Sequence, residues 1–127
     1  MIDLLAAITE AFDGFAYDYY LSLAPKDTAL PFAVGTIVSD VPDYQTRNGN
    51  GLYPYIETAT IQFDIYADTD TAVLSGLDLI AGLFNNTQLD LSDDTYLGGR
   101  RTGGIPARVE DDAWRGTAVY EFKVERA

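Results

Sequence analysis

Apolar and polar positions along this chain repeat first at helical and then at strand spacing, and each change of period marks an element. Leu4, Leu5, Ile8, Ala11 and Phe12 recur three and four apart, the stripe of an amphipathic helix. Asp3 stands where a first-turn carboxylate meets the positive end of a helix dipole, and Gly14 lies just beyond the stripe. Residues 15–21 (FAYDYYL) are aromatic and read as extended chain, followed by a connection punctuated by Pro25 and Pro31. A second strand is expected at residues 32–39. Residues 40–56 hold two prolines, two Asn-Gly steps and three tyrosines without apolar periodicity, which predicts one long loop.

From Thr58 to Tyr66 the pattern alternates, with Ala59, Ile61, Phe63 and Ile65 on one face and Thr60, Gln62, Asp64 and Tyr66 on the other; this predicts a central strand. Asp68, Thr69 and Asp70 offer caps for a second helix, whose stripe is Val73, Leu74, Leu77, Ile80, Ala81 and Phe84 and which Asn85 and Asn86 should stop. The glycines at 98, 99, 103 and 104 exceed what one turn needs and predict a bulged hairpin running from Tyr96 to Glu110, with a tight turn at Asp111 and Asp112. In the closing strand Ala118, Tyr120, Phe122 and Val124 alternate with Thr117, Val119, Glu121 and Lys123. The elements sum to a single α+β domain over residues 1–127: a mainly antiparallel twisted sheet, two helices packed on one face, and a C-terminal β-hairpin.

Composition narrows the chemistry. The chain contains no His and no Cys, which removes imidazole bases, thiolate nucleophiles, disulfides and the customary zinc ligands together. A small enzyme working through paired carboxylates remains as an alternative class. We expect no catalytic residue, no cofactor and no metal site. Asp68-Thr69-Asp70 begins like a calcium loop, but Val73 and Leu79 stand where such a loop needs Gly and Glu. Asn85-Asn86-Thr87 has the form of a glycosylation sequon without any sign of secretion, and no phosphate-binding glycine motif is present. No apolar run approaches the roughly 18 residues of a membrane span, so no membrane role is expected.

The net charge of −12 opposes general affinity for nucleic acid or anionic lipid. It is unevenly spread: residues 1–99 sum to −13 and residues 100–127 to +1. An acidic body beside a basic tail end is either a solvated acidic face or a pair of patches that let identical subunits dock head to tail. Two groups of residues are candidates for contact. Tyr44, Arg47, Tyr53 and Tyr55 lie in the predicted loop, where large side chains with polar ends suit binding, although a loop that folds its tyrosines onto the core is the alternative. Arg100, Arg101, Arg108 and Arg115 form a predicted basic ridge on the hairpin, against the alternative of a solvated hairpin.

The order of parts is itself informative: an opening helix, Leu23-Ala24-Pro25, Leu30-Pro31-Phe32 at the start of a strand, a long loop, Gln62-Phe63-Asp64-Ile65-Tyr66, a helix, then Trp114-Arg115-Gly116 before Tyr120-Glu121-Phe122. In this order and spacing the chain resembles the tail-completion, or tail-terminator, proteins of long-tailed bacteriophages. The resemblance implies a structural virion protein, assembled in the host cytoplasm as a hexameric ring that caps the tail tube and meets a head connector or stopper protein, with DNA passing through unbound. Another neck component, a head-closure or adaptor protein, is the nearest alternative.

Overall fold

The second helix forms because Thr69, two residues past the preceding strand, is extended and its hydroxyl accepts from the Ala72 backbone N–H, supplying one of the partners that a helix start lacks. The computed structural model describes residues 2–43, 55–85, 87–110 and 112–126. Its elements run α1 (Ile2–Ala11), β1 (Asp18–Leu21), β2 (Phe32–Asp43), β3 (Tyr55–Ala67), α2 (Asp70–Phe84), β4 (Thr95–Glu110) and β5 (Ala113–Arg126). The strands make one sheet in the order β1-β2-β3-β5-β4, antiparallel throughout except for the parallel β1–β2 pair. The fold is therefore α+β, with a central β3 and a C-terminal β4–β5 hairpin.

Alternation sorts the two faces of the sheet. Ala59, Ile61, Phe63 and Ile65 of β3 and Ala118, Tyr120, Phe122 and Val124 of β5 are buried together with Leu4, Ile8 and Phe12 from α1 and its following turn and Val73, Leu77, Ile80 and Phe84 from α2. Aromatic rings dominate this layer: Phe63 stacks on Phe84 at 5.2 Å between centroids, and Phe12 stacks on Tyr19 at 3.9 Å. Removing each such ring from water is worth about 1.5–3 kcal/mol. Two glycines let α2 sit close. A Cβ at Gly116 would lie 2.5 Å from Val73 Cγ1, and one at Gly76 would lie 3.0 Å from Ile65 Cγ2, on the strand residue that pairs with Gly116. Gly116 thus belongs to packing, as does the partly buried Trp114 against the same core.

Several boundaries depart from the sequence expectation. Strand β1 is confined to Asp18–Leu21, with residues 15–17 outside it, although Phe15 and Tyr17 still pack on the core. Tyr17 also donates from its hydroxyl to the Ala72 carbonyl at 2.7 Å. Strand β2 runs past residue 39 to Asp43, and β3 begins at Tyr55, so both ends of the predicted 40–56 loop are strand. Pro42 is accommodated because β2 is an edge strand beyond the reach of β1, and an edge tolerates a missing N–H. Residues 44–54 lie outside the described residues. The predicted bulges are present: β4 shifts register against β5 at three places, and Gly98 adopts a φ of +147° beside the first.

Candidate interaction surfaces

The face of the sheet opposite the helices is lined by side chains of the other alternation phase: Phe32, Val34 and Thr36 from β2, Gln62, Asp64 and Tyr66 from β3, Arg115 and Thr117 from β5, and Arg108 and Glu110 from β4. Antiparallel register brings Asp64 opposite Thr117 and Tyr66 opposite Arg115. Arg115 donates through Nε to Asp64 Oδ1 at 3.1 Å and through Nη1 to both Glu110 oxygens at 3.0 and 2.8 Å. Asp64 is buried and accepts in addition from the Thr117 hydroxyl and, at 3.0 Å, from Gln62 Nε2. The guanidinium also lies 5.5 Å from the Tyr66 ring centre, and Tyr66 stacks on Phe32 at 5.0 Å.

This arrangement sets the charge states. Hydrogen bonds from Arg115 hold the Glu110 carboxyl below its ordinary range. Burial disfavours the Arg115 charge, but Glu110 and Asp64 together outweigh that and raise its pKa. Burial raises the Tyr66 phenol, with Arg115 opposing. On the helix side, burial pushes Tyr19 up to about 12 and also raises Tyr96 and Tyr120. The hydroxyls of these three tyrosines are buried without a hydrogen-bond partner among the described residues.

A second charged cluster stands at the opposite end of the strands. Arg126 reaches Glu57 at 3.1 Å and Asp94 at 3.2 Å, both acids being largely buried. Asp40 lies beside Glu57; burial, and then the charge and hydrogen bond of Glu57, raise its pKa. Among the described residues no group of three or more His, Cys, Asp or Glu is placed to hold a metal ion. No helix there is long and apolar enough to cross a membrane.

The predicted contact residues are placed as follows. Tyr44, Arg47 and Tyr53 lie outside the described residues, and Tyr55 opens β3, its backbone paired with Arg126. The four arginines do not form one ridge. Arg108 and Arg115 are cross-strand neighbours, whereas Arg100 pairs with Glu121, six residues further along β5 and roughly 20 Å away. Arg101 faces Tyr120 on the helix side, because adjacent strand residues take opposite faces. Arg115 is committed within the chain, its side chain 19% exposed, while Arg100 is 75% exposed with one long contact to Glu121 at 3.4 Å. Sequence reasoning did not single out Asp64 and Glu110, which hold Arg115, or Thr117, which donates to Asp64. The two acids stand fifty-one and five residues from Arg115, and only register shows which of these groups meet.

A cleft of about 490 Å³ opens on the same face between residues 22–28 and the strands, floored by Phe32, Val34, Tyr66 and Arg115. At the sheet margins the backbone is open to neighbours. Residues 100–106 of β4 are exposed throughout, and residues 37–41 of β2, including Ile37, Val38 and Val41, are exposed beyond the end of β1.

Comparison with known proteins gives one kind of answer. No protein-family model matches the chain, and no curated protein matches it. Among solved structures, the chain resembles a component of one described as "Virion of native gene transfer agent (GTA) particle", with a TM-score of 0.65 and 17% identity over 94% of this chain and 85% of that one. At that identity the likeness is one of fold: the α+β arrangement built here from residue patterns is also the arrangement of a chain in a virion particle.

Proposed function

We propose that this protein is a structural virion component that completes a phage-type tail, capping the tube as a hexameric ring and joining it to the head connector or stopper. The observation that carries the reading is the fold likeness to a virion chain over nearly the whole length, arrived at independently of the ordered motifs from Leu23-Ala24-Pro25 to Tyr120-Glu121-Phe122 that resemble tail-completion proteins. A chain without His or Cys, whose internal ion pairs are satisfied by one another, suits assembly better than catalysis. Its net charge of −12 suits a duct through which DNA slides without being held. The contact elements in this reading are Tyr44, Arg47, Tyr53 and Tyr55 around residues 44–54 and Arg100 and Arg101 on the hairpin, while Arg115, held by Asp64 and Glu110, braces the sheet behind them.

Gold-labelled antibodies against this protein, imaged on intact particles from the source culture, test it. Label confined to the junction of head and tail is the expected result. Label along the shaft would make the protein a tube subunit, and particles without label would remove it from the virion.

A further inference from the structure

Among the described residues, two stretches of unpaired strand edge have matching length, matching irregularity and opposite charge. On one side of the sheet, β1 pairs with β2 only as far as Gly35. Beyond it β2 presents an open edge over residues 36–41, which ends at Pro42, where an N–H is missing. On the other side, β4 presents an open edge over residues 100–105, between the register shift at Tyr96 to Gly98 and Pro106. Each window is six residues long, roughly 20 Å of strand.

The irregularities match as well. Within its window β2 carries one register shift between Ile37 and Ser39, and β4 carries one between Arg101 and Gly103. Opposing Arg101 to Asp40 and Gly104 to Ile37 leaves two residues between the paired positions on each strand. Faces then agree on both sides of the break: Arg101 and Asp40 are on the helix side, as are Gly104 and Ile37, while Ile105 and Thr36 are on the open side. Arg100 and Arg101 come beside Val41 and Asp40, and Ile37, which is 39% exposed in the single chain, comes beside Gly104. Pro106 falls opposite Gly35, the residue where β1 already occupies the edge. Direction agrees too, since β4 runs opposite to β2 in the sheet and a copy set alongside in the same orientation meets it antiparallel.

We infer that copies of this chain join edge to edge, residues 100–105 of one pairing antiparallel with residues 36–41 of the next and continuing the sheet from subunit to subunit. The inference rests on the reading of the protein as an assembling subunit and names the surfaces that meet. It is heterologous, as a ring requires, because the alternatives are disfavoured by charge: two β2 edges would oppose Asp40 to an acidic strand, and two β4 edges would oppose arginines.

The native chain has no cysteine, so paired cysteines report on the contact without background. Directly opposed residues on antiparallel strands have Cα atoms about 4.5–5.5 Å apart, within disulfide reach. The double variant Thr36→Cys/Ile105→Cys is expected to give a ladder of covalent multimers on mild oxidation, while each single variant stays one chain long. A natively folded double variant that gives no ladder, or single variants that dimerise as efficiently as the double one, would overturn the edge pairing. Arg101→Asp should raise the concentration at which multimers form by about tenfold, and Asp40→Arg in the same chain should restore it; weakening without rescue would also overturn it. Gold labelling separates this from the functional reading. Junction label on particles whose double-variant subunits do not cross-link rejects the edge pairing alone, and a ladder from a protein that labels no virion rejects the tail role alone.

Discussion

The two faces of the sheet are made by the same strands and held by different physics. On the helix side, rings from Phe12, Phe63, Phe84, Tyr120 and Phe122 fill a layer in which shape and apolar area do the stabilising. On the open side, Asp64, Arg115, Glu110 and Thr117 form a connected set of charge-assisted hydrogen bonds whose worth lies in mutual satisfaction. The first face tolerates little change in volume, and the second tolerates volume but not the loss of one charge. A residue's neighbour in sequence is therefore a poor guide to its role: Arg115 belongs to one regime and Gly116 to the other.

Substitutions break this comparison in graded steps. Phe63→Ala should cost about 3–5 kcal/mol in a denaturant titration, since it opens a cavity among stacked rings. Arg115→Ala should cost about 2–3 kcal/mol, because Asp64 remains buried with its strongest donor gone; a change below about half a kcal/mol would show that solvent readily replaces the guanidinium. Gly116→Ala should cost about 1–3 kcal/mol by driving α2 off the sheet, and Val73→Ala in the same chain should recover part of it. The pH dependence sharpens the contrast further. Glu110 has its folded pKa held below the ordinary 4.5, so its contribution is fully present above that value and is lost as pH falls through the lower, folded one. Glu110→Gln should flatten that acid limb by lowering stability evenly through the neutral-to-alkaline range, converging with the native chain at the acid end where the contribution is already lost. The smallest effect belongs to Arg100→Ala, expected within about 0.5 kcal/mol in the folded monomer because its side chain is 75% exposed.

Much of the helix-side face was legible in the sequence. The stripe from Val73 to Phe84 and the alternation through Ile61, Phe63, Tyr120 and Phe122 are local patterns, and Thr69 announces its own cap. The margins were harder to read. Pro42 and Asp43 look like loop residues, and only the topology shows that they lie on an open edge where such residues are tolerated. The arginines between 100 and 115 look like one group because they are close in sequence, but alternation puts Arg101 on the other face and strand length separates Arg100 from Arg108 and Arg115. Asp64 was placed on the right face by alternation, yet its partner fifty-one residues away depends on strand register, which no local pattern encodes.

The register shift at the middle of the β4 edge also governs what that edge rejects. An ordinary regular strand aligned with residues 103–105 would be out of phase by one residue at Arg100 and Arg101, turning its apolar side chains toward the wrong side of the sheet over half the contact. An edge with such a break is a poor template for the regular strands of other chains, so the shift in β4 disfavours indiscriminate edge-to-edge pairing.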